Sequence, residues 1–67
     1  MAEFYGQRVK AFRYMDRVLM QAKKDNVTIS VNNLIFEMTG VFAVSKSALI
    51  ERLKEYEERD DKVRLDW

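Results

Sequence analysis

Hydroxyl and cationic side chains meet at Ser45-Lys46-Ser47, and two further cations, Arg52 and Lys54, follow closely. Side chains of these types donate hydrogen bonds and bring positive charge, so the chemistry that suits them is contact with an anion such as phosphate. Ser45 is also a good helix N-cap, and the free N–H groups of a helix N-terminus favour an anion. We therefore predict a helix over 45–56 whose N-terminal half presents a phosphate-binding surface.

Other chemistry is largely excluded by composition. The chain contains no cysteine and no histidine, so disulfides, thiolate metal sites and histidine-based catalysis are absent. The acidic residues lack the Asp/Asn alternation and the glycine of a calcium loop, and a solvated helix end explains them better. These residues are Glu55, Glu57, Glu58, Asp60 and Asp61. We expect no enzyme activity, metal or cofactor, and no small-molecule ligand is evident.

Length and charge set further bounds. Sixty-seven residues predict a single domain, 1–67, and a chain this short buries only about 60% of its unfolded surface, so dimerisation would help to stabilise it. No apolar run approaches the roughly 20 residues of a membrane span, and we expect a cytoplasmic, intracellular protein. The net charge is +1, but 1–26 and 45–54 are positive, whereas 55–67 is negative. The acidic tail would have to face away from a polyanion.

A long first helix is predicted from Ala2 to about Lys24, because apolar residues recur there with a period near 3.6. Asn26 can adopt the left-handed conformation that ends a helix. Such a helix spans roughly 30 Å and should overhang a domain of this size. We expect its aromatic N-terminal part to pack on a second copy of the chain, through Phe4, Tyr5, Val9 and Phe12.

The rest of the chain is predicted to form two short strands and a second helix in addition to the helix over 45–56. Residues 27–31 alternate apolar and polar types and predict a short strand, which Ser30 ends while capping a second helix over 31–38. Gly40 is expected to stop that helix. Residues 62–67 alternate again and predict a second strand, antiparallel to the first. The fold class is α+β and mainly helical, with three helices and a two-stranded antiparallel sheet in the order α-β-α-α-β.

Leu49, Leu53 and Tyr56 recur at i, i+4 and i+7 in the third helix and are expected to face the core. Tyr56 and Trp67 also suit an interface or base stacking, although core positions fit their spacing better. Lys54 can pair with Glu58 four residues later instead of binding an anion.

The run Val44-Ser45-Lys46-Ser47-Ala48-Leu49, followed by Arg52-Leu53-Lys54, resembles the second helix of winged helix-turn-helix DNA-binding domains, where a V-S-x-S-T-V-x-R-x-L-type pattern is common. The resemblance implies a winged-helix-like fold in which this helix enters the DNA major groove. Two departures accompany it. The residues Val41, Phe42 and Ala43 lengthen the turn, and only one strand follows the helix, so the wing is truncated or absent.

This resemblance implies duplex DNA binding, sequence-specific or general, with Ser45, Lys46, Ser47, Arg52 and Lys54 as the contact residues. The protein would act as a homodimeric transcriptional regulator, or as a replication or partition accessory factor that could associate with the nucleoid. Glu51 would either accept from a cytosine amino group or pair with a neighbouring cation. The alternative is a protein–protein interaction module on the same scaffold, which the small net charge and Glu51 favour.

Overall fold

The computed structural model describes the backbone of residues 2–67 and the side chains of residues 6–67. Three helices and two short strands follow one another in the predicted order. They are α1 (Ala2–Asp25), β1 (Ile29–Ser30), α2 (Val31–Val41), α3 (Lys46–Arg59) and β2 (Leu65–Asp66). The prediction of a mainly helical chain with one two-stranded sheet is therefore confirmed.

Helix α1 spans the whole molecule. Its 24 residues correspond to about 36 Å at 1.5 Å per residue, and the molecule measures 36 × 18 × 18 Å. The helix ends as the sequence predicts, because Asn26 has a φ of 56° and Lys23 and Lys24 lie in the last turn. The Val27 N–H then donates to the carbonyl of Ala22 at 2.9 Å and turns the chain toward β1.

Helix α2 begins where predicted but ends later. The Ser30 hydroxyl accepts from the Asn33 N–H, as a cap does, but the helix continues through Gly40 to Val41 instead of stopping at Met38. Gly40 does not adopt a positive φ. The Phe42 N–H donates to the Met38 carbonyl at 2.7 Å, so the last turn closes without a left-handed glycine.

Helix α3 begins at Lys46 after the predicted Ser45 cap and continues beyond Tyr56 to Arg59. Asp60 ends it with an extended backbone, and its N–H donates to the Tyr56 carbonyl at 2.9 Å. The Asp60 carboxylate also accepts from the Lys62 N–H at 3.0 Å, which reverses the chain direction. This turn directs the chain into β2.

The two strands are parallel, so the predicted antiparallel pairing is wrong. Ile29 pairs with Leu65 and Ser30 pairs with Asp66. Parallel strands require a long crossover connection, and here α2 and α3 together supply it. The alternation over 27–31 and 62–67 predicted strand content correctly, but it carries no information about direction.

A single apolar core joins the three helices. Its fully buried members come from each helix: Ala11, Met15 and Leu19 from α1, Val31, Leu34, Ile35 and Met38 from α2, and Leu49 and Leu53 from α3. Tyr56 is half-buried and packs against this core, as its spacing predicted. Trp67 is 48% exposed instead of buried, because the strand pairing ends at Asp66. The indole N–H donates to Glu57 at 3.1 Å.

Candidate functional site

The N-terminus of α3 has the geometry expected of a capped helix. The Ser45 hydroxyl accepts from the Ala48 N–H at 3.2 Å and lies 3.4 Å from the Ser47 hydroxyl. Ser45, Lys46 and Ser47 are all exposed. Two hydroxyls and one ammonium group are therefore available to solvent at the positive end of the helix dipole.

The outward face of α3 mixes charges of both signs. Ser47, Glu51, Lys54 and Glu58 recur with helical spacing and are all exposed, on the side opposite the buried Leu49 and Leu53. Among the described side chains, Lys54 and Glu58 do not form the ion pair that their spacing allowed, and Glu51 forms none either. The charges of this face are therefore free to meet a ligand.

Arg52 lies off this face and is half-buried against two aromatic rings. Its guanidinium carbon lies 4.7 Å from the ring centroid of Phe12 and 5.6 Å from that of Tyr56. The Nε atom of Arg52 is buried and has no hydrogen-bond partner. The predicted role of Arg52 in binding phosphate would require this packing against two rings to be given up.

The predicted dimerisation residues are only partly free for a second chain. Phe12 packs against the core and beneath Arg52, and Val9 is half-buried. Phe4 and Tyr5 lie outside the described side chains. Phe12 therefore already has a partner within the chain.

A basic stripe follows the outer face of α1. Lys10, Arg13, Arg17 and Lys24 share one side of the helix by their spacing, and all are exposed. The buried residues Ala11, Met15 and Leu19 occupy the other side. Four of the six cations of residues 1–26 therefore share one surface.

An apolar surface lies at the C-terminal end of α2 and was not predicted. Phe36 is 82% exposed and Val41 is 73% exposed. They border a groove of about 450 Å³ that Tyr14, Gly40 and Phe42 also line. A signal for it existed in the sequence, because Leu34, Ile35 and Met38 face the core and helical geometry then turns Phe36 outward.

The contact that Asp60 makes with another helix was not predicted either, because the sequence pattern placed Asp60 only among solvated acidic residues. Its carboxylate accepts from the Lys23 ammonium group at 2.6 Å and thereby joins the end of α1 to the end of α3. The hydrogen bond from Lys23, with a further one from the Lys62 N–H, lowers the pKa of Asp60 below its ordinary value. Asp60 therefore has a structural role.

The described part of the chain holds no group of three side chains suited to binding a metal ion. None of the helices described has the length and apolar character needed to cross a bilayer. No family model, curated protein or solved structure matches this chain.

Proposed function

We propose that this protein binds duplex DNA through the N-terminal half of α3. The observation that supports this proposal is the exposed Ser45-Lys46-Ser47 group at the capped start of that helix. Hydroxyl, ammonium and backbone N–H donors at a helix N-terminus are the groups that commonly contact DNA phosphates and base edges. Lys54, two turns further along the exposed face, supplies a second phosphate contact.

Arg52 is not among the proposed contacts, since its guanidinium group stacks on Phe12 and Tyr56. Glu51 lies between Ser47 and Lys54 on the exposed face, where a carboxylate can accept from a cytosine amino group and repels phosphate. This placement favours a role for Glu51 in base readout over backbone contact.

The charge distribution supports one orientation on DNA. Lys46 begins α3 and Lys54 lies just past its middle, whereas Glu55, Glu57 and Glu58 lie in the part that follows Lys54. Insertion of the N-terminal end into the major groove keeps the carboxylates away from the phosphates. The basic stripe of α1 adds long-range attraction.

In this proposal the fold is a winged-helix-like domain with a truncated wing, because a single short strand, β2, follows α3. The protein acts in the cytoplasm as a homodimeric transcriptional regulator, or as a replication or partition accessory factor. A net charge of +1 per chain gives weak general attraction to DNA, and two copies double the number of phosphate contacts.

The test is fluorescence anisotropy of a labelled mixed-sequence duplex, titrated with protein at salt concentrations from about 50 to 200 mM. Wild-type affinity should fall steeply with salt. Lys46→Ala combined with Lys54→Ala should weaken binding and reduce the salt slope by about 2, because each lost phosphate contact removes about one ion from the slope.

The matched control is Lys62→Ala combined with Arg64→Ala, which removes the same charge from exposed positions outside both α3 and the basic stripe of α1. It should leave the slope close to that of the wild type. Equal losses in both double variants would show that the start of α3 is not the contact surface. No binding of any protein variant at 50 mM salt would exclude DNA binding.

A second candidate function is that of a protein–protein interaction module. The exposure of Phe36 and Val41 beside an apolar groove favours it, because large exposed apolar patches mark interaction sites. If no duplex binding is found, affinity capture of partners with wild-type protein and with Phe36→Glu as the negative control tests this function directly.

A further inference from the structure

The exposed apolar surface of α2 has no partner within the described chain. We call it the α2 face and define it by the residues that line its groove, which include one acidic side chain: Tyr14, Phe36, Glu37, Met38, Gly40, Val41 and Phe42. The Tyr14 and Phe42 rings pack against each other at 5.8 Å between centroids and form the wall of the groove. Phe36 projects beside it as a large exposed side chain. A projection and a groove on one surface suit pairing of two identical faces around a two-fold axis.

Gly40 leaves room for close contact with another chain. It lies in the last turn of α2 without a positive φ, and a Cβ atom there would meet nothing within 4 Å. No turn and no internal packing therefore requires glycine at this position. Without a side chain, the backbone at Gly40 can be approached closely from outside.

Charges beside the α2 face are complementary to each other. Glu37 is the only charged residue of α2, and it forms no ion pair within the described part of the chain. Lys10 and Arg17 lie one helical turn before and after Tyr14 on α1, and they too are exposed and unpaired there. In a two-fold arrangement, Glu37 of each copy can approach the α1 cations of the other.

A stable interface buries about 800 Å² on each partner, which is more than a few apolar side chains supply. The proposed dimer therefore requires residues of α1 as well as the α2 face. Oligomerisation is also a common way in which chains of this length gain stability.

We propose that a second copy of this chain occupies the α2 face in an isologous dimer, with Phe36 in the partner's groove and Glu37 against Lys10 and Arg17. This interface uses other residues than the predicted contact through Phe4, Tyr5, Val9 and Phe12, of which Phe12 is packed within the chain. The dimer does not depend on DNA binding, and DNA is omitted from the experiments that test it.

The first experiment is sedimentation velocity of the full chain from about 1 to 500 μM. Wild-type protein should shift from monomer to dimer with rising concentration. Phe36→Glu should raise the dimer dissociation constant at least about 30-fold, because it places a carboxylate in the apolar centre of the interface. Circular dichroism should show an unchanged fold, since Phe36 is 82% exposed.

The matched control is Trp67→Glu, which also places a carboxylate at an exposed aromatic side chain, here 48% exposed. Trp67 contacts Glu57 in α3 and lines no part of the α2 face. This variant should dimerise like the wild type. A monomer at every wild-type concentration overturns the proposal and leaves a different protein as the occupant. The proposal is also overturned if Phe36→Glu and Trp67→Glu weaken the dimer equally, or if Phe36→Glu does not weaken it.

Charge reversal tests the pairing itself. Glu37→Arg alone, and Lys10→Glu with Arg17→Glu, should each weaken the dimer about tenfold. Combining the three substitutions should restore most of the affinity. Failure of this restoration would show that Glu37 does not face the α1 cations across the interface.

Gly40→Ala should have opposite effects on the stability of the monomer and on the affinity of the dimer. At low micromolar concentration, where the monomer prevails, it should raise the melting temperature by about 2–8 °C, because alanine favours the helix. It should also raise the dimer dissociation constant at least about tenfold by preventing close approach. A stabilised monomer with unchanged dimer affinity would contradict close packing at Gly40.

Discussion

The start of α3 and the α2 face are both exposed surfaces of neighbouring helices, yet their chemistry is opposite. The first carries Ser45, Lys46 and Ser47, whereas the second carries Phe36 and Val41. Polar side chains at a helix start are fully accounted for by capping and hydration, so their exposure costs nothing. Exposed apolar side chains lose the stabilisation that burial would give, and a partner is needed to recover it.

This difference teaches that the two surfaces need different evidence. A hydrophilic surface becomes a binding site only if removal of its charges changes affinity. An apolar surface is already less stable exposed to water than covered, so its exposure alone is evidence for a partner. Four sets of measurements, from the largest expected effect to the smallest, separate the residues that stabilise the fold from those that bind a partner.

Leu53→Ala should have the largest effect. Leu53 is completely buried at the junction of the helices, so its truncation should lower the free energy of unfolding by about 2–5 kcal/mol through lost burial and an internal cavity. Phe36→Ala removes a larger side chain but should change stability by less than about 0.5 kcal/mol, because Phe36 is exposed. Urea unfolding at low protein concentration measures both. A large loss for Phe36→Ala would place that side chain inside the folded monomer.

Arg52→Ala should lower the free energy of unfolding by about 1–2 kcal/mol, since it removes the stacking on Phe12 and Tyr56. Arg52→Met retains much of the packing and removes the buried, unpartnered Nε, so it should be close to neutral. Thermal unfolding checks both variants. Duplex affinity of Arg52→Met should remain within about threefold of wild type. A loss as large as that of the Lys46 and Lys54 double variant would show that Arg52 contacts the duplex.

Ser45→Ala should cost about 1 kcal/mol of stability, because the Ala48 N–H loses its acceptor. Ser30→Ala removes the corresponding cap of α2, where the hydrogen bond is longer, at 3.5 Å, and should cost less. Thermal unfolding ranks the two variants. If Ser45→Ala leaves stability unchanged but weakens DNA binding, its hydroxyl is used for the ligand instead of the cap.

The smallest expected effect is a change in how the melting temperature depends on pH when Asp60 is replaced. The pKa of Asp60 is lowered in the folded chain by Lys23 and by the Lys62 N–H, so its contribution to stability is complete above the ordinary pKa of 3.8. That contribution is lost as the pH falls through the lower folded-state value. Melting temperatures measured from pH 6 down to pH 2 should therefore decline less in Asp60→Asn than in wild type. Identical pH profiles would show that this ion pair does not stabilise the turn.

The local features of the fold were predictable. Ser30 and Ser45 are caps, Asn26 ends α1, and apolar spacing identified the buried residues Leu49 and Leu53. Each of these depends on residues within one or two turns. Gly40 misled the prediction of the end of α2, because glycine permits a helix stop without requiring one.

At the candidate sites, the sequence predicted which side chains are exposed but not the contacts between distant residues. Exposure of Lys46 and Lys54 follows from helical spacing, but the position of Arg52 depends on Phe12, forty residues earlier in the chain. The spacing of α2 placed Phe36 opposite the core, yet only packing shows that Tyr14 and Phe42 build a groove beside it.

By itself, the sequence determined the element types and their order, the two serine caps and the apolar stripes, because hydrogen bonding and hydrophobic periodicity act over short distances. Tertiary structure alone decided the parallel direction of the strands, the packing of Arg52 against Phe12, the Lys23–Asp60 pair and the groove that Phe36 lines. Each of these brings together residues far apart in the chain, and their proximity depends on how the three helices pack around a common core.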